Sequence, residues 1–74
     1  MFGVAWGEGH VAMVDDSGNV LSVSDRAARA EIERRMVEPL TMWLPDEKVL
    51  TLNPGEPGFV AAVLRSLDGA TVTV

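Results

Sequence analysis

A chain of 74 residues makes one domain at most, and a core of that size is marginal because burial per residue falls as domains shrink. The absence of cysteine excludes disulfides and thiolate metal sites, and a net charge of −5 disfavours direct binding to nucleic acid. Yet 47% of the residues are hydrophobic, and burying some of them between subunits is the simplest resolution, which points to a homodimer.

Met1 to Trp6 sets Phe2, Val4 and Trp6 against Gly3 and Ala5, the period-2 pattern of a strand with one buried face. Gly7-Glu8-Gly9 turns the chain, and His10 to Val14 returns as a nearly continuous apolar strand. Asp15-Asp16-Ser17-Gly18-Asn19 is the strongest turn signal present, because Asp favours the first turn position and Gly or Asn accepts positive φ. Val20 to Val23 completes a three-stranded meander.

Ser24 to Pro39 reads as the one long helix. Ser22, Ser24 and Asp25 are all good N-cap types, the interior is rich in Ala, Glu and Arg, and Pro39 supplies the stop. Ala28, Ile32 and Met36 form a narrow apolar stripe that Val37 and Leu40 are expected to widen. Arg26, Arg29, Arg34 and Arg35 are balanced by Asp25, Glu31, Glu33 and Glu38, so this face reads as solvated and ion-paired at i, i+4 spacing.

Leu40 to Leu44 and Lys48 to Leu52 read as a second hairpin around Pro45-Asp46-Glu47. Leu40, Met42 and Leu44 fall on one face of its first strand, Thr41 and Trp43 on the other. Asn53 to Gly58 is a Pro- and Gly-rich connector. Phe59 to Leu67 carries the helical stripe Val60, Val63, Leu64 and Leu67, and Asp68-Gly69 stops it. Ala70 to Val74 alternates as a last strand.

The expected fold is therefore α+β over residues 1–74, in the order β-β-β-α-β-β-α-β. It is read as one mixed, mostly antiparallel sheet with two helices packed on one face. A crossover from the fifth strand through the second helix would make the last two strands parallel. No run approaches the ~20 apolar residues of a membrane span, and the N-terminus lacks the pattern of a secretory signal. A cytoplasmic location without membrane partners is the expectation.

Candidate chemistry is sparse. His10 is the only histidine, and a serine hydrolase would need it joined to an acid such as Asp15 or Asp16 and a serine such as Ser17, Ser22, Ser24 or Ser66. No G-x-S-x-G elbow marks any of them, so a surface or half-buried strand histidine is the better reading. Glu8 and His10 at i, i+2 could share a metal with Asp15 or Asp16, but Gly7 and Gly9 favour a turn there. The Asp15 turn fails as a calcium loop, since Val20 and Arg26 stand where Gly and Glu are required. The Asn53–Gly58 connector lacks the Lys and Ser/Thr of a phosphate loop. No catalytic, cofactor-binding or metal-ligating residue is assigned.

Phe2, Trp6 and Phe59 are expected in the core. Trp43 differs, because it lies opposite the main apolar face of its strand and tryptophan is enriched at interface anchors. Trp43, Met42 and Thr41 are the candidate interface residues. The expected function is a small non-catalytic protein-interaction module that self-associates through an apolar sheet face or edge. The alternative is an acidic inhibitor or adaptor, its turn carboxylates meeting a basic surface on a nucleic-acid-handling enzyme.

Overall fold

The computed structural model describes all 74 residues, Met1–Val74. Strand β1 (Phe2–Trp6) pairs antiparallel with β2 (His10–Val14), placing Phe2 opposite Val14 and Trp6 opposite His10. Strand β3 (Val20–Val23) pairs with β2, with Ala12 opposite Val23. Helix α1 (Arg26–Arg35), the hairpin β4 (Leu40–Trp43) and β5 (Val49–Leu52), helix α2 (Phe59–Arg65) and β6 (Thr71–Thr73) follow. The α+β class and the element order are those read from the sequence.

The strands divide into two sheets rather than one. The larger has the order β3-β2-β1-β6, the smaller is β4-β5, and every pair is antiparallel. The parallel last pair expected from a crossover is therefore absent: β6 returns to β1, with Val72 opposite Val4. The reason is one of available edges. Once β2 occupies one side of β1, β6 takes the other. The outer edge of β3 is irregular, because the register with β2 skips Leu21, and a bulge of this kind discourages further pairing. No regular edge of β1 or β2 remains for the hairpin.

Both helices cover the same face of the larger sheet. Val4 and Trp6 of β1 and Ala12 and Val14 of β2 pack with Ala28 and Ile32 of α1, and with Leu64 and Leu67 from α2 and the turn after it. Phe59 and Val63 are also buried. Full burial of a side chain such as Ile32 is worth about 1.5–3 kcal/mol relative to exposure. Asp25 caps α1, its side chain accepting from the Ala28 N–H at 2.8 Å. The apolar stripe of α1 runs from Ala28 through Ile32 to the half-buried Met36. It does not widen at Val37, which is 74% exposed because the helix has ended at Arg35 and the chain has turned away. Trp6 and Phe59 lie in the core as expected, while Phe2 is half-buried at its margin.

Candidate interaction surface

Two regions could carry chemistry or recognition: a polar cluster at the start of α1 and the hairpin β4–β5. The polar cluster follows from register. Strands β2 and β3 pair with Ala12 opposite Val23, and continuing that register brings His10 to Asp25, just past the end of β3. His10 Nδ1 lies 2.9 Å from Asp25 Oδ2. The ring of His10 also sits 5.3 Å from that of Trp6, whose indole N–H donates to Glu31 Oε2 at 3.1 Å. The half-buried histidine expected from the sequence is thus tied to Asp25, not to Asp15 or Asp16.

This cluster does not have the geometry of a hydrolytic triad. Ser24 Oγ donates to Asp25 Oδ2 at 3.1 Å and accepts from the Val11 N–H at 2.9 Å. Its hydrogen bonds run to the acid and the backbone, whereas a nucleophile must donate to the imidazole. No surface depression borders His10. The hydrogen bond from His10, with a smaller contribution from the Ala28 N–H, holds the Asp25 carboxyl below its ordinary value of 3.8. As an ionised acceptor it places the proton on Nδ1. The arrangement fastens β2, β3 and the first turn of α1 together.

The same inward turn accounts for the helix's sparse ion pairs. Asp25 goes to His10 and Glu31 to Trp6, away from Arg29 and Arg35. Only Arg34 and Glu38 meet among the i, i+4 pairs, at 4.0 Å. Three of the turn carboxylates are likewise engaged within the chain. Asp15 accepts from the Ser17 and Asn19 N–H groups and from the Asn19 side chain, bonds that hold its carboxyl below its ordinary value, those from Asn19 most of all. Glu56 accepts from the backbone and side chain of Asn53, and Asp16 meets the N-terminal amine. No three of His, Asp and Glu lie close enough together to hold a metal ion.

The hairpin presents the opposite chemistry. The register sets Trp43 opposite Val49 and Thr41 opposite Thr51 on one face, with Met42 opposite Leu50 and Leu40 opposite Leu52 on the other. Trp43 is 76% exposed and Val49 50%. Thr41 is exposed beside them, while Met42 is half-buried on the reverse face. The three candidate residues therefore belong to one strand but two faces. Sequence reasoning missed Val49, Leu50 and Thr51, although the antiparallel register of a hairpin closed after Leu44 places them opposite Trp43, Met42 and Thr41.

Beyond its own pairing, β4 touches α2, and neither strand joins the larger sheet. A two-stranded hairpin alone is marginal in water unless a helix or further strands cover it. The molecule is accordingly elongated, 36 × 24 × 21 Å, with a radius of gyration of 12.1 Å; a compact chain of this length has about 11.3 Å. Its surface is 4796 Å², against about 4,400 Å² for a compact protein of this mass.

These features define a small α+β domain that leaves aromatic and aliphatic side chains in water and gathers no catalytic constellation. Comparison with protein-family models, with curated protein sequences and with solved structures finds no match. None of its helices is long and apolar enough to cross a membrane.

Proposed function

We propose that this protein is a non-catalytic interaction module of the cytoplasm that works by association and forms a homodimer. The observation that carries this reading is the hairpin. Trp43, Leu44, Val49 and Leu50 are all exposed on an element that has only partial cover of its own. Only 10 of the 74 residues are buried, so the chain has more apolar surface to offer than its own core absorbs. Trp43, with Thr41 on the same face and Met42 behind it, forms one contact surface for a subunit or another protein. The uncharged outer side of the larger sheet forms a second.

Absolute mass by light scattering at low and high salt tests the reading. Association driven by apolar burial survives high salt, because screening weakens charge attraction and leaves burial intact. The expected result is a dimer at both salts. A monomer at both, up to the highest concentration reached, overturns the self-associating form of the proposal.

A further inference from the structure

The proposal that the chain self-associates leaves open which surface two copies share. We infer that the outer face of the four-stranded sheet receives the same face of a second copy, packed about a two-fold axis.

The face is unusual for a sheet side in water. An antiparallel sheet covered on one side ordinarily alternates apolar-in with polar-out. Here the outward positions are Gly3 and Ala5 on β1, Val11 and Met13 on β2, Ser22 on β3, and Thr71 and Thr73 on β6. Val11 is 50% exposed and Met13 36%. The four strands contain no Asp, Glu, Lys or Arg at all. Every acid of this −5 chain lies in a turn, a helix or the connections between elements. Two copies of an acidic protein repel one another, and this face is where they can meet without bringing carboxylates together.

Its relief is self-complementary. The registers place Thr73, Gly3 and Met13 in one row across the sheet and Thr71, Ala5 and Val11 in the next. Met13 leans over Gly3, its sulfur 3.5 Å from where a Cβ there would stand, so the open floor lies at the exposed Ala5, with Val11 of β2 as the ridge beside it. A shallow depression bordered by Met1, Gly3, Met13, Thr73 and Val74 opens at the end of the first row. An isologous interface requires the knob and the hole to lie on one surface, as they do here. Packing the ridge of one copy over the floor of the other gives a two-sheet sandwich, the usual way in which two such faces are buried.

Size sets the expected strength. Strands about 4.8 Å apart with residues rising about 3.3 Å give a footprint of roughly 300 Å². That is small beside the ~800 Å² of accessible surface per partner in a standard interface, so a reversible, concentration-dependent dimer is expected.

The test is sedimentation equilibrium on the full chain over a concentration series, comparing wild type with Val11→Lys and Trp43→Ala. Val11→Lys places like charges across the two-fold axis and raises the dimer dissociation constant at least tenfold. Trp43→Ala changes it by less than threefold. Val11→Thr, which keeps the β-branched shape, weakens the dimer less than lysine does, and far-UV circular dichroism confirms that each variant is folded. Because the chain has no cysteine of its own, Ala5→Cys and Val49→Cys provide a second measurement with a short bis-maleimide. Cross-linking through Ala5→Cys and not through Val49→Cys is the expected pattern. The reverse pattern, or a dimer lost on Trp43→Ala and kept on Val11→Lys, overturns the sheet-face assignment while self-association stands. A wild type that remains monomeric throughout overturns both.

Discussion

Two of the chain's three hairpins, β2–β3 and β4–β5, are closed by the same hydrogen bonds but built from different residues. In the β2–β3 turn the Asp15 carbonyl accepts from Gly18 N–H, and Asp15 N–H donates to the Asn19 carbonyl. In the β4–β5 turn the Leu44 carbonyl accepts from Glu47 N–H, and Leu44 N–H donates to the Lys48 carbonyl. Each turn needs one residue in the left-handed region. The first uses Gly18, at φ +90°, and the second uses Glu47, at φ +66°. The first turn is also braced by the Asp15 side chain and lies against Met36 and Val60. The second has one long side-chain brace, Asp46 Oδ1 at 3.4 Å from Lys48 N. Local turn chemistry and tertiary cover thus favour the same conformation in the first hairpin. In the second, strand pairing with little further support outweighs a left-handed cost of about 1–2 kcal/mol.

The largest expected effect lies where the body of the molecule is most tightly packed. Ile32→Ala removes a fully buried side chain between α1 and the sheet, and should cost about 2–5 kcal/mol in urea unfolding. Leu50→Ala in the hairpin should cost much less, since Leu50 is exposed. Equal losses would show that the two regions are not distinct in stability.

The two turns predict changes of opposite sign. Gly18→Ala should destabilise by about 1–2 kcal/mol from the left-handed backbone alone, with further crowding because the new methyl would stand 3.2 Å from Met36 Sδ. Glu47→Gly should stabilise by about 1 kcal/mol if the hairpin unfolds together with the body. A gain visible only in hydrogen exchange of β4 and β5, with global unfolding unmoved, would mean that the hairpin opens on its own.

The polar fastening at the start of α1 is a smaller, pH-dependent term. Folding lowers the pKa of both Asp25 and Asp15 from the ordinary 3.8. A group whose folded pKa is depressed contributes fully above its unfolded value, and the contribution is lost as pH falls through the folded value. Stability should therefore fall below about pH 4. His10→Ala, which removes the leading cause of the Asp25 shift, should make that acid-side fall shallower in thermal melts. An unchanged slope would mean that the Ala28 N–H and the Ser24 hydroxyl hold the carboxylate without the imidazole.

How much of this was legible in the sequence follows the range of each interaction. The Asp15–Asn19 turn, the capping by Asp25 and the stripes Ala28–Ile32 and Val60–Leu67 are local, and residue order specifies them. The pairing of β6 with β1 is not local: Thr71–Thr73 alternates equally well beside any free edge, and only the three-dimensional arrangement shows which edge is open. The same limit hid the separation of the hairpin from the main sheet. The contact between His10 and Asp25 lies between these cases. It follows from extending the β2–β3 register by two residues, but the helix signals at Asp25 drew its reading toward Arg29. Trp43 was legible as the residue on the wrong side of its strand, although not as one left 76% exposed.

The smallest expected stability change belongs to Trp43. Its side chain packs too little within the monomer for Trp43→Ala to matter there, and surface substitutions of this kind usually fall within about 0.5 kcal/mol. That prediction separates two accounts of a large exposed aromatic. If Trp43 stabilises the hairpin by packing across it against Val49, its removal should loosen β4 and β5 and lower the melting temperature. If it is held out for a contact, the melt should be unmoved while capture of the contacting surface is lost. Trp6 is buried, so a Trp6→Phe background leaves Trp43 as the only indole, and its emission reports the outcome directly. A water-exposed maximum that stays in place on association is expected from the sheet-face contact, and a shift to the blue would place Trp43 in the contact instead. A maximum already blue in the monomer would show that the hairpin covers its own tryptophan.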